Sequence, residues 1–240
     1  MLLEICCFNL RSAEIAQDLG AQRIELCADA QAGGTTPSYG TIEMARKKLT
    51  IPIYTIIRPR EGDFLYDEFE FQAMKREVTF CKQLGCDGIV TGILQKDGKV
   101  DMIRMAILME LAYPMGVTFH RAFDWSSDPF KAMEEIISLG CERILTSGQQ
   151  SNAMSGIELI GELIAKADNR IIIMPGSGVR ASNIGELAGK TKAEEFHSSA
   201  RIRKAGSMDF HQASMNERQE FFVPDPNEIK GMLEVLTRLS

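Results

Sequence analysis

Several features that would settle a function class at once are missing from this sequence. It contains no run of about 18 apolar residues, so no segment is expected to span a bilayer. It has no basic stripe. The formal net charge is −6 at pH 7 with the acidic residues scattered, which argues against a nucleic-acid partner. Its start, Met1-Leu2-Leu3-Glu4-Ile5, lacks a basic leader and cleavage site and reads as a strand, so a cytoplasmic location is expected. Six cysteines are present (Cys6, Cys7, Cys27, Cys81, Cys86 and Cys141), but none forms a Cys-x-x-Cys pair. That removes a zinc ribbon and a thioredoxin-type motif, and without an export signal a disulfide framework is not expected either. No linker divides the chain.

What is present is ordinary globular material: 240 residues, 45% hydrophobic and 25% charged. Short apolar runs alternate with helical patterns along the whole length. Strands are expected near 2–7, 23–27, 51–57, 87–92, 116–121, 142–146, 170–174 and 194–197. Helices are expected near 12–19, 40–49, 68–84, 101–113, 128–139, 155–166, 182–189 and 226–238. Eight strand–helix units at this length predict α/β architecture, a single (β/α)8 barrel domain over 1–240 with a closed parallel sheet. An open doubly wound sheet is the competitor and would have fewer strands. Gly20, Gly85 and Gly140 each follow an apolar-periodic segment and precede a strand, where a left-handed glycine stops a helix. Asp128-Pro129 reads as an N-cap with proline at the first helical position. The segment near 198–225 reads as irregular, either a cover over the barrel mouth, a subunit contact or a surface excursion. A homodimer or higher homo-oligomer is expected, with that segment as the contact.

Polar residues recur at the downstream ends of the apolar runs, where a parallel barrel builds its sites. On the first two strands the spacing is Glu4-Ile5-Cys6 and Glu25-Leu26-Cys27. Period two puts each carboxylate and thiol on one face, pointing inward, while Ile5 and Leu26 face the helices. Adjacent Cys6 and Cys7 must then face opposite ways. Two soft thiolates on neighbouring strands suit Cu(I), and free cysteine also serves as a small buried packer. Buried Glu4 and Glu25 need partners, which Arg23, Arg58, Arg60 or Arg121 can supply. They can also be tuned for proton transfer.

Further along, Arg58-Pro59-Arg60 places two guanidiniums where they can fork onto an anion. His120-Arg121-Ala122-Phe123-Asp124 follows the fifth strand, with His120 a proton exchanger that Asp124 can orient. Ser147 sits after the sixth strand. The stretch Gly176-Ser177-Gly178 follows the seventh, and Ser199 and Arg201 follow the eighth. Loops after strands seven and eight are a recurrent phosphate site in barrels of this kind, although tight turns use the same residues. The 13 methionines are scattered at helical spacing and read as core packing rather than a copper relay.

As a set these stretches resemble the CutC, or copper homeostasis, family. The similarity rests on Glu4-Ile5-Cys6, Arg23-Ile24-Glu25-Leu26-Cys27, Gly33-Gly34-Thr35-Thr36-Pro37-Ser38, Ile57-Arg58-Pro59-Arg60-Glu61-Gly62-Asp63-Phe64, Thr118-Phe119-His120-Arg121-Ala122-Phe123-Asp124, Arg143-Ile144-Leu145-Thr146-Ser147-Gly148-Gln149 and Gly176-Ser177-Gly178-Val179. It covers about residues 2–201, and the stretch from about 202 to 222 is divergent. The resemblance implies a (β/α)8 barrel, a cytoplasmic location and copper handling, with Cu(I) on the thiols at Cys6 and Cys27. No organic cofactor is expected. The alternative is an enzyme acting on a small anionic or phosphorylated substrate. In that case Arg58, Arg60 and Arg121 would hold charge, Ser147, Gly176, Ser177, Gly178, Ser199 and Arg201 would complete the rim, and Glu4, Glu25, His120 and Asp124 would do acid–base work. A third reading is a dimeric regulatory or scaffold protein without catalysis.

Overall fold

The computed structural model describes residues 1–216 and 219–239. Eight parallel strands form one sheet: β1 (Leu2–Cys7), β2 (Arg23–Leu26), β3 (Ile53–Ile56), β4 (Gly88–Thr91), β5 (Gly116–Phe119), β6 (Arg143–Thr146), β7 (Ile172–Pro175) and β8 (Glu195–Ser198). Each is followed by a helix: α1 (Leu10–Asp18), α2 (Tyr39–Lys48), α3 (Glu68–Leu84), α4 (Met102–Ala112), α5 (Pro129–Ser138), α6 (Ile157–Ala167), α7 (Ile184–Thr191) and α8 (Pro226–Leu239). The sheet order runs β7-β6-β5-β4-β3-β2-β1-β8, so the last strand pairs with the first. Strands β7 and β8 lie side by side, but among the described residues no ladder joins them. The result is a nearly closed (β/α)8 barrel.

Local chemistry explains the segmentation. The helix stops at Gly20, Gly85 and Gly140 have φ of +96°, +77° and +82°, as the sequence leads one to expect. Asp128 accepts hydrogen bonds from the Phe130 and Lys131 N–H groups at the start of α5. Helix α3 opens with a capping box in which Asp67 and Glu70 satisfy each other's backbone N–H.

Two cores follow from strand alternation. The larger lies between sheet and helices and includes Leu3, Ile5, Cys7, Ile24 and Leu26. The smaller lies inside the barrel and consists of Cys6, Cys27, Tyr54, Ile56 and Val90. Cys6 and Cys7 therefore do face opposite sides of β1. The bottom of the barrel is polar. Arg23 bridges Glu4 and Glu195, Arg143 bonds Glu195 at 3.1 Å, and Tyr54 donates to Glu142 at 2.7 Å. The Tyr54 ring lies under both guanidiniums, 5.2 Å from Arg23 and 4.9 Å from Arg143.

The chain between β8 and α8 is more ordered than the sequence suggests. Strands β9 (Arg201–Ala205) and β10 (Glu220–Pro224) pair antiparallel, from Pro224 opposite Arg201 to Glu220 opposite Ala205. The hairpin rises next to the barrel mouth, with Asn9 donating to the Phe222 carbonyl at 3.3 Å. Its loop is long, and a pairing closed at that distance has no local turn signal to announce it.

Candidate functional site

The C-terminal mouth of the barrel opens into a cavity of about 590 Å³. Its floor is made by the first two strands and the last. The register places Cys6 opposite Glu25 on β2, and Glu4 opposite His197 on β8. Cys6 Sγ lies 3.5 Å from Cys27 Sγ. One ligand atom from each of Cys6, Glu25 and Cys27 falls within 4.8 Å of the others, and all three residues are buried. His197 spans the group. Its Nδ1 is 2.7 Å from Glu4 and its Nε2 is 3.6 Å from Glu25.

Burial raises every acid here, and the neighbours decide which protons remain. Glu4 is fully buried, which opposes ionisation, but Arg23 and His197 outweigh this and hold it at about 2. The Cys27 thiol donates to Cys6 and, against the cost of burial and with His197 beside it, lowers Cys6 to about 5. Burial and then the charge on Cys6 drive Cys27 and Glu25 well above their ordinary values. For His197 burial disfavours charge, yet its bonds to Cys6 and Glu4 raise it well above the ordinary histidine value. The floor thus favours a thiolate on Cys6 and an ionised Glu4, while Cys27, Glu25 and His197 are all shifted toward their protonated forms. A soft, electron-rich pair of buried sulfurs fits a soft cation.

The wall carries different chemistry. His120 Nδ1 accepts the Ala122 N–H at 3.3 Å, so the ring proton sits on Nε2, and Nε2 is buried without a partner. Burial, then the nearby charges of Arg58 and Arg121, lower His120 to about 3, which keeps it neutral. Arg58 is buried and donates to the carbonyls of Ala32, Gly34 and Gly62 at 2.8–3.0 Å, while its Nε has no partner.

Of the residues singled out in the sequence, Cys6, Glu25, Arg58, His120, Arg121, Ser177, Gly178, Ser199 and Arg201 line the cavity. Glu4 and Cys27 lie directly beneath it, bonded to residues that do. The others take different places. Asp124 is a brace between strand ends, accepting from Thr146, from the Ser147 and Gln149 N–H groups and from Arg121. Ser147 belongs to that brace, donating at 2.9 Å to Asp124. Arg60 turns outward to Asp63 and Glu70, over the Tyr66 ring. Gly176 is a packing position, since a Cβ there would lie 2.4 Å from Leu145.

His197 and Arg143 stand in strand-end stretches of the sequence but receive no role from it, and Arg180 receives none either. The role of His197 becomes visible only once β8 is placed beside β1, because its partner Glu4 is 193 positions away. Arg143 is the inward residue opening β6, and Arg180 follows the Gly176-Ser177-Gly178 turn onto the cavity wall.

Fold and site together define a (β/α)8 barrel with an open cavity at its C-terminal mouth and a paired-thiol floor. The chain belongs to the CutC family, whose profile matches residues 1–202. A CutC family protein of Parabacteroides distasonis is 54% identical over 211 residues, covering 87% of this chain and 86% of that one. One from Xylella fastidiosa strain Temecula1 is 44% identical over 237 residues, covering 98% of this chain and 89% of that one. The crystal structure of CutC from Streptococcus agalactiae, assigned there to copper homeostasis, superposes with a TM-score of 0.80 at 33% identity. It covers 83% of this chain and 98% of that one. Phosphoribosylanthranilate isomerase from Pyrococcus furiosus shares the barrel, with a TM-score of 0.61 at 13% identity over 99% of both chains, and that likeness speaks to fold alone.

Proposed function

We propose that this protein serves copper homeostasis in the cytoplasm by taking Cu(I) as cargo on Cys6 and Cys27. The observation that carries the reading is the 3.5 Å separation of the two sulfurs at the floor of an open cavity. Family membership supports it, as does the donor set, because thiolates favour Cu(I) over hard cations. Loading the pair releases the proton that the sulfurs share, so uptake strengthens as pH rises. His197 and Glu25 flank the sulfurs. The test is competition for Cu(I) against a chelator under reducing conditions. Wild type should withdraw one equivalent, and Cys6→Ser/Cys27→Ser should withdraw none at the same chelator concentration. Equal uptake by both would remove the idea.

The hairpin β9–β10 is the surface we assign to a homodimer. Met208, Phe210, Met215 and Phe221 are exposed there, and clustered apolar exposure of this kind marks contact surfaces. Light scattering should give a dimer for wild type and a monomer for Phe210→Ser/Phe221→Ser. A monomeric wild type would contradict the assignment.

A further inference from the structure

We propose that the upper part of the cavity, above the thiol floor, is a binding site for a small phosphorylated molecule. The first observation is charge. Arg58, Arg180 and Arg201 all line the cavity. Among the described residues none of the three has a carboxylate partner, although most other arginines of the chain do. Their hydrogen bonds go to carbonyl oxygens, which position a guanidinium without neutralising it. Arg58 is tied to the 32–34 loop, Arg201 donates to Ala30 of the same loop, and Arg180 makes one long 3.5 Å bond to the Arg201 carbonyl. The three therefore follow one another around a single arc of the rim. The carboxyls lining the same cavity are Glu61, which is exposed, and Glu25, which lies on the floor 3.6 Å from His197 Nε2. The arc keeps a positive surplus that a dianion would match.

The second observation is unmade hydrogen bonds. A buried donor without a partner is costly, and such groups point to a missing acceptor. His120, 4% exposed, presents an unpartnered Nε2–H, and Arg58 an unpartnered Nε–H. Gly178, exposed and with φ of +72°, and Ser199, half-buried, line the same cavity, and their N–H groups make no bond among the described residues. A neutral donor, backbone N–H groups and guanidiniums around one space recognise a phosphoryl group; a bare metal ion needs none of them. The cavity, at about 590 Å³, leaves room for a small organic portion beside the phosphoryl group.

Calorimetry in phosphate-free buffer tests this, with inorganic phosphate, glycerol 3-phosphate and glycerol as probes. Glycerol 3-phosphate should bind and glycerol should not, with inorganic phosphate weaker than the ester. Arg180→Gln and Arg201→Gln should each weaken ester binding about tenfold or more, the loss expected for a hydrogen bond to a charged group. Arg201 also stacks on Phe222, so Arg180→Gln, which gives up only one long bond, guards against a folding defect. Trp125, the single tryptophan of the chain, lines the cavity and supplies a fluorescence check on the site of binding. The site is tested apart from the copper reading: ester binding is measured on metal-free wild type, and it is expected whether or not that protein takes up copper. Absence of binding by the ester, or equal affinity in wild type and both arginine variants, would overturn the proposal.

Discussion

His120 shows how one side chain records its surroundings. The ring is buried against Phe64, at 4.9 Å between centroids, and stays neutral with its pKa lowered to about 3. An unfolded histidine titrates near 6.5, so between about pH 6.5 and 3 the unfolded chain binds the extra proton and the folded chain does not. Stability from this residue is therefore complete above 6.5 and declines as the solution is acidified. The slope is at most about 1.4 kcal/mol per pH unit. Urea midpoints between pH 7 and 4 should fall more steeply for wild type than for His120→Gln. Parallel curves would show that His120 is charged in the folded protein. Glu4, held at about 2, adds a loss of the same sign only below its ordinary range near 4.5. The difference between the two proteins above pH 5 thus isolates the histidine. His197 behaves oppositely: its raised pKa contributes stability that is complete below about 6.5 and declines as pH rises from there through the folded value.

At the scale of elements, the strands were legible because each is bounded by chemistry that acts locally. Left-handed glycine stops α3, aspartate starts α5, and period-two alternation orients β1 and β2. The pairing of β9 with β10 was not legible, because its two halves meet across a long loop and neither half alternates strongly. Nor was the floor of the site complete in the sequence, since Glu4, Arg23, Glu195 and His197 come together only through barrel closure. Close approach between elements is equally non-local. Gly88 on β4 faces the Tyr54 ring of β3, and an added Cβ would lie 2.2 Å from Tyr54. Gly88→Ala should therefore cost about 1–3 kcal/mol, the usual penalty for overpacking a filled interior. Gly40→Ala in α2, where nothing lies within 4 Å of the new methyl, should cost nothing. Thermal melts of the two variants compare them directly, and equal melting temperatures would mean that the Tyr54 ring is free to move.

The whole molecule is a barrel whose two ends differ in purpose. The lower end is a closed ion network in which Arg23 and Arg143 sit on Tyr54 between Glu4, Glu142 and Glu195. Such a network fixes the interior geometry, and removing one partner would leave a buried charge uncompensated. The upper end is open and carries the thiol pair below an arc of unneutralised guanidiniums. No helix among the described residues is long and apolar enough to cross a membrane. The family profile ends at residue 202, as the hairpin begins, although the Xylella fastidiosa relative aligns over 98% of the chain. The central claim, that the floor sulfurs hold copper, is tested most directly by copper K-edge X-ray absorption on Cu(I)-loaded protein. The spectrum should show a first shell of two sulfurs in wild type and lose sulfur in Cys6→Ser. A shell of oxygen and nitrogen alone, or an unchanged spectrum in Cys6→Ser, would contradict it.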